Sequence, residues 1–401
     1  MKFSSRIEGC ELSPIRKFRP YRVEAEKKGH RVLQLNIGQP DVETPPVFFE
    51  AVRSFSQKVL EYAPSAGLDE FVNAVCSYYG RLGFSLRADE VLTTYGGSEA
   101  LQMLFSCLLE DGDEVLAAEP YYPNYETFIR VTGGVIRPIP TSAEEGYRYA
   151  SREKIEPLIN ERTRAILVTN PGNPTGTVLT EEEMQVLADI AREHDLCLIS
   201  DEVYRELVYG GRKVTSMLAM EQAADNIVIV DSVSKRFSAT GSRVGVLISH
   251  NKELMGHAMK LCQSRLCTAT LDQVGATALY NTMTPAYYEE MRQEYQRRRD
   301  AVVESLSKIP GVKFNEPEGA FYLMVTLPVD DTEKLQYFLL QDFADNGDTV
   351  MYAPGRGFYT TPGLGHNEIR IAYVTRPEEL KRAIEVLGRG IQAYNERSNQ
   401  K

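Results

Sequence analysis

The chain has 401 residues, 43% of them apolar, and a formal net charge of −11. That length and apolar content suffice for two domains with cores of their own. The acidic balance argues against nucleic acid or an anionic membrane surface as a partner. No run approaches the roughly 20 apolar residues that span a bilayer, and none follows the N-terminal Met-Lys-Phe-Ser-Ser-Arg. The six cysteines show no CxxC or other metal spacing, and several lie in apolar runs. Reduced core thiols, no metal site and a cytoplasmic location are expected.

Between about Phe48 and Tyr280, strand-like apolar runs alternate with helical patterns, the mark of a mostly parallel sheet covered on both faces. The run Glu90 to Thr94 leads through Tyr95-Gly-Gly-Ser-Glu-Ala100 into a helix-like stretch, Ala100 to Leu109. Free N–H groups at a helix start bind an anion, and glycines let it approach the backbone. An ordinary strand-to-helix turn is the alternative. Apolar Ala165 to Val168 ends in the rigid loop Asn170-Pro-Gly-Asn-Pro-Thr-Gly176, where Asn173 is either a turn former or a hydrogen-bond donor to a ligand. Just beyond, Thr180 and Glu183 predict a capping box ahead of a helix over Met184 to His194.

Asp201 follows the run Leu196 to Ile199, at the strand end where open α/β sheets place their ligands. A carboxylate there can keep a heterocyclic nitrogen protonated. Alternatively, it caps a helix-like stretch, Glu202 to Val208. Tyr204 either shares that cavity or fills core. The run Ile227 to Val230 opens into Asp231-Ser-Val-Ser-Lys-Arg-Phe-Ser-Ala-Thr-Gly-Ser-Arg243. A buried amine at Lys235 can form a Schiff base with a carbonyl, while Ser232, Ser234 and Arg243 offer donors and charge to a phosphate. A lysine after a strand is otherwise a solvated loop cation. Pro285 to Ile309 is a long charged helix pattern, its Arg297-Arg-Arg299 read as a solvated face. Strands at Ala320 to Thr326 and Ile369 to Val374, with a helix from Pro377, suggest a smaller α+β domain. Arg370, inside the second strand, makes either a structural ion pair or a fork for a carboxylate.

Four ordered motifs at these separations resemble the fold type I, pyridoxal phosphate-dependent aminotransferases of class I/II, subgroup I-gamma. The resemblance runs from Leu35-Asn-Ile-Gly-Gln-Pro-Asp41 through Glu61-Tyr-Ala-Pro-Ser-Ala-Gly67 to Glu368-Ile-Arg-Ile-Ala-Tyr-Val374. It implies an α/β fold: a large domain, residues 46–285, with a mostly parallel sheet sandwiched by helices, and a smaller α+β domain, 286–401. An N-terminal arm, 1–45, would pack with the small domain.

Carried over by resemblance, Lys235 is the Schiff base lysine and the general base, Asp201 the partner of the pyridine nitrogen, and Asn173 with Tyr204 the pair on the ring oxygen. Gly97, Ser98, Ser232, Ser234 and Arg243 would hold the phosphate of pyridoxal 5'-phosphate. Tyr122, in Glu119-Pro-Tyr-Tyr-Pro-Asn-Tyr125, would stack on the ring. Tyr62 would reach the phosphate from the neighbouring subunit of a homodimer. Arg370 and Gly38, with Asn173, would bind the substrate's α-carboxylate.

The implied activity is ping-pong transfer of an amino group between an L-amino acid, aspartate foremost, and a 2-oxo acid such as 2-oxoglutarate. By resemblance, Arg16, in Ser13-Pro-Ile-Arg16, and Arg265, in the partner-subunit loop Arg265-Leu-Cys-Thr-Ala-Thr270, are candidates for a distal carboxylate, against surface or interface ion pairs as the alternative. A C–S or β-lyase on the same scaffold is the rival reading, because pocket contacts decide the fate of the α-carbanion. A non-catalytic, cofactor-binding regulator is remoter, since no helix-turn-helix pattern or basic region precedes the arm.

Overall fold

The computed structural model describes residues 1–213 and 215–399. In chain order its strands are β1 (Arg31–Gln34), β2 (Val91–Thr94), β3 (Glu114–Glu119), β4 (Val135–Pro140), β5 (Thr163–Thr169), β6 (Cys197–Asp201) and β7 (Ile227–Ser232). They continue with β8 (Gly245–Ile248), β9 (Lys313–Phe314), β10 (Tyr322–Thr326), β11 (Asp348–Met351), β12 (Ala353–Pro354) and β13 (Glu368–Ala372). Seven of them form one sheet in the order β2-β8-β7-β6-β5-β3-β4, in which only β8 runs against its neighbours. This is the mostly parallel, helix-covered sheet that the alternating pattern predicts.

The apolar strands read as continuous runs because both faces are buried. Along β7, Ile227 and Ile229 join one core while Val228 and Val230 join the other. β5 alternates in the same way, with Ile166 and Val168 opposite Ala165 and Leu167. Polarity returns only at the strand ends, with Thr169, Asp201 and Ser232 closing β5, β6 and β7. These three ends are where the chain's chemistry collects.

A second, antiparallel sheet orders as β12-β13-β10-β9, and β1 pairs in parallel with β11. That pairing ties residues 31–34 to the C-terminal third of the chain. The helices Thr332–Gln341 and Pro377–Asn399 flank this region, together with Pro285–Leu306.

Local signals held to different degrees. The capping box is present: Thr180 Oγ1 accepts from the Glu183 N–H at 3.2 Å, and Glu183 Oε2 from the Thr180 N–H at 2.8 Å. Their helix spans Glu181–Glu193. The helix after β2 starts at Gly96, so its glycines form the first turn rather than a preceding loop.

Residues 202–208 are not a helix: 203–206 form turns and Val208 bridges Gly319, while Glu202 and Arg205 are drawn inward into a buried ion pair of 2.5 Å. The 297–299 run is not a solvated face either. Only Arg297 is exposed; Arg298 binds Asp41 at 2.5 Å and Glu294 at 2.8 Å, and Arg299 binds Glu316 at 3.0 Å. Of the six unpaired cysteines only Cys262 is buried, so the thiols are less of a core feature than their apolar surroundings implied.

Candidate active site

The ends of β5, β6 and β7 open into a cleft of about 670 Å³, closed by the N-terminal segment, the first turn of helix Gly96–Leu108, β10 and β13. Its walls bring together Gly38, Gly97, Ser98, Tyr122, Asn173, Asp201, Tyr204, Ser232, Ser234, Lys235, Arg243 and Arg370.

Lys235 stands on the short helix Val233–Arg236, which Ser232 caps by accepting the Ser234 N–H at 3.3 Å. Its amine donates to the Gly38 carbonyl at 2.9 Å. Enclosure pushes the amine down to about 8, with the Arg370 guanidinium adding to the shift and Asp201 opposing it. Gly38 admits no side chain: a Cβ there would fall 1.7 Å from the Tyr322 hydroxyl oxygen.

Asp201 accepts from the Tyr125 hydroxyl at 2.6 Å and the Val203 N–H at 3.4 Å. The second contact is cap-like, but no helix follows it. Burial pushes its carboxyl up to about 6, and those two hydrogen bonds restrain the rise. Tyr204 and Tyr322 place their hydroxyls 3.0 Å apart.

Arg370 is 1% exposed and has no carboxylate partner among the described residues. It donates to Asn173 Oδ1 at 3.0 Å and to the Asn36 carbonyl at 2.6 Å, and lies 4.4 Å from the centre of the Tyr322 ring. Its Nε is buried without a partner. A guanidinium held by neutral acceptors and an aromatic face is a socket for an anion.

The start of helix Gly96–Leu108 is packed just as closely against Arg243. Gly96 has φ 75°, and a Cβ on it would come within 2.7 Å of Arg243 Nη2. Arg243 itself is left-handed, φ 53°, and donates to the carbonyls of Tyr95 at 3.2 Å and Thr240 at 3.1 Å. Such a conformation costs a non-glycine residue about 1–3 kcal/mol, and residues held this way cluster at ligand sites.

Tyr62 and Arg265, both expected to act on the site of a neighbouring subunit, lie outside this chain's own cleft. Tyr62 is 79% exposed, in a shallow depression with Tyr95 and Cys267. Arg265 donates to the carbonyls of Ser65 at 3.2 Å and Thr93 at 3.0 Å, with Glu99 at 3.5 Å. Arg16 does line the cleft, exposed and without a carboxylate partner among the described residues. Sequence reasoning missed Tyr322, Tyr125 and Asn36. The first two are among 22 tyrosines, and Asn36 acts through its backbone, so none carried a signal. Among the described residues no group of three or more His, Cys, Asp or Glu is placed to hold a metal ion, and no helix is long and apolar enough to cross a membrane.

Residues 30–387 match the family described as aminotransferase class I and II. The chain belongs to that family. This aminotransferase is 30% identical to the aspartate aminotransferase of Bacillus subtilis, over 98% of this chain and all of that one. It is 33% identical to the aspartate/prephenate aminotransferase of Thermus thermophilus, over 96% and 99% of the two chains.

Among solved structures, the Thermus thermophilus aspartate aminotransferase with maleate superposes at TM-score 0.88 with 31% identity, over 97% of this chain and 100% of that one. An alanine aminotransferase from Pyrococcus furiosus does so at 0.88 with 29% identity, over 98% and 100%. The family depends on pyridoxal phosphate and acts on amino and oxo acids, and these relatives support a transaminase rather than a lyase.

Proposed function

We propose that this aminotransferase holds pyridoxal 5'-phosphate in the cleft and moves an amino group between an L-amino acid, aspartate foremost, and a 2-oxo acid such as 2-oxoglutarate. The observation that carries the reading is the convergence on one cavity of a low-pKa amine, a buried carboxylate and three arginines, Arg16, Arg243 and Arg370, without carboxylate partners among the described residues. When bound, the cofactor supplies an aldehyde for amines and an electron-accepting ring. The residues present fit it: the helix start with Gly97, Ser98, Ser232, Ser234 and Arg243 for the phosphate, Asp201 for the ring nitrogen, Asn173 and Tyr204 for the ring oxygen, and Tyr122 for the ring face.

Lys235 is then the group that binds the aldehyde and, once released, carries a proton to and from the substrate's α-carbon. A pKa near 8 leaves an appreciable share of the amine neutral at physiological pH, where a solvated lysine would be almost wholly charged. Arg370 grips the α-carboxylate, with Gly38 and Asn173 beside it, and so fixes the α-carbon within reach of Lys235. Tyr322 backs both Arg370 and Tyr204.

Arg16 reads a second carboxylate. It is the remaining cleft arginine once Arg243 and Arg370 are matched to phosphate and α-carboxylate. The aspartate names of relatives support this choice. A homodimer, in which Tyr62 of a second copy reaches the phosphate, belongs to the same proposal. So do the division into 1–45, 46–285 and 286–401, supported by the β1–β11 pairing, and a cytoplasmic location.

The test is a half-reaction followed by the visible absorption of the cofactor-loaded protein. Aspartate alone should remove the band, and 2-oxoglutarate should restore it. With an amino acid that carries a thiol leaving group on its β-carbon, a band that persists while pyruvate, ammonia and the free thiol accumulate would mark a lyase.

A further inference from the structure

Directly beneath the cleft floor lies a group of charges that the proposed chemistry does not use. Asp231, 0% exposed, is the penultimate residue of β7, four residues before Lys235. Arg236, immediately after Lys235, donates to both its carboxylate oxygens at 2.5 Å. Arg205 approaches the same carboxylate at 3.3 Å and binds Glu202 at 2.5 Å. Tyr79 donates to Asp231 at 3.0 Å and accepts from Arg205 at 2.9 Å. The four charged side chains are each no more than 2% exposed, and two positive charges meet two negative ones.

The cluster reaches the site through adjacent strands. β6 and β7 are neighbours in register, Asp201 beside Val230, so Asp231 stands one residue beyond the partner of Asp201. The Glu202 N–H donates to the Val230 carbonyl at 2.9 Å, which stitches the two strand ends together. A carboxylate so close disfavours ionisation of another in a dry interior unless it is neutralised.

We propose that Arg236 and Arg205 are positioning residues that neutralise Asp231 beneath the site and thereby keep Asp201 ionised. Asp201 itself faces Tyr125 on the helix Asn124–Val131, Tyr122 and Tyr204, Lys235 on the neighbouring turn, and Asp231 below. Asp231 faces Arg236, Arg205 and Tyr79, with Tyr78 and Tyr280 nearby and Glu202 across Arg205. Glu206 is spoken for by Tyr78 and by Arg292, at 3.2 Å, and leaves the balance unchanged. Among the charges acting on Asp201, Asp231 raises its pKa and Lys235 lowers it, so Asp201 does feel the charge beneath it. The catalytic consequence rests on the proposed role of Asp201, but its ionisation does not.

The test therefore uses the full-length protein without cofactor. The titration of the Asp201 carboxyl is followed by infrared difference spectroscopy, with Asp201→Asn identifying its band. Arg236→Met leaves a surplus negative charge and should raise the midpoint by about one pH unit. Asp231→Asn leaves a surplus positive charge and should lower it by a similar amount. The pair Asp231→Asn with Arg236→Met restores balance and should return the midpoint close to that of the parent. A merely structural cluster would shift both single variants the same way or not at all, and either result overturns the proposal. Should Arg236→Met fail to fold, a midpoint that Asp231→Asn does not lower, or that the double variant does not restore, overturns it equally.

Discussion

The amine of Lys235 lies 2.9 Å from the carbonyl oxygen of Gly38, a residue 197 positions earlier in the chain. This contact joins the β7 turn to the N-terminal segment and holds the amine inside the cleft without an ion-pair partner among the described residues. Because the amine's pKa is lowered, its neutral, reactive form gains population as pH rises toward 8. The rate at which the cofactor-free protein captures pyridoxal phosphate should climb through that range and level off above it. Stopped-flow absorbance reads this; a climb centred near 10 would place the amine in solvent.

Arg370 is the second cause of that lowered pKa. Arg370→Gln should shift the capture profile upward in pH and also weaken the α-carboxylate, since a charge-assisted fork is lost. We expect kcat/KM to fall about 10- to 100-fold. Arg370→Lys should restore the capture profile but only part of the affinity, as steady-state kinetics on both variants will show.

Gly38→Ala tests the close approach. Its Cβ would meet the Tyr322 hydroxyl at 1.7 Å, so Tyr322 or the segment must move. Overpacking of this kind costs about 1–3 kcal/mol, visible as a lowered Tm, together with a raised KM because Arg370 stacks on the displaced ring. An unchanged Tm and KM would show that the segment is free to shift.

The sequence made the strand ends legible because glycine and proline punctuate them: Gly96, the Asn173 loop and the serines around Lys235 all follow apolar runs. It could not show which tyrosines face the cleft. Tyr125 and Tyr322 sit in stretches whose apolar spacing also suits a core. Residues 202–208 read as helical through Val203 and Leu207, and the competing force, burial of Glu202 against Arg205, is visible only in three dimensions. The Arg298 and Arg299 error has the same origin, since Asp41 and Glu316 are distant in sequence.

Arg16→Gln should lower kcat/KM for aspartate by about tenfold while leaving asparagine and alanine within twofold, because only the distal negative charge is read. Competition by maleate against maleamate, its half-amide, gives the same comparison without turnover. Equal losses for charged and neutral substrates would assign Arg16 to the fold of the segment instead.

The central claim is that Lys235 is the residue joined to the cofactor. Borohydride reduction of the loaded protein, followed by peptide mass mapping, addresses it directly. The account predicts a pyridoxyl phosphate group on the Val233–Arg236 turn, at Lys235 alone. A label on another lysine, or a loaded protein that takes up none, would contradict it.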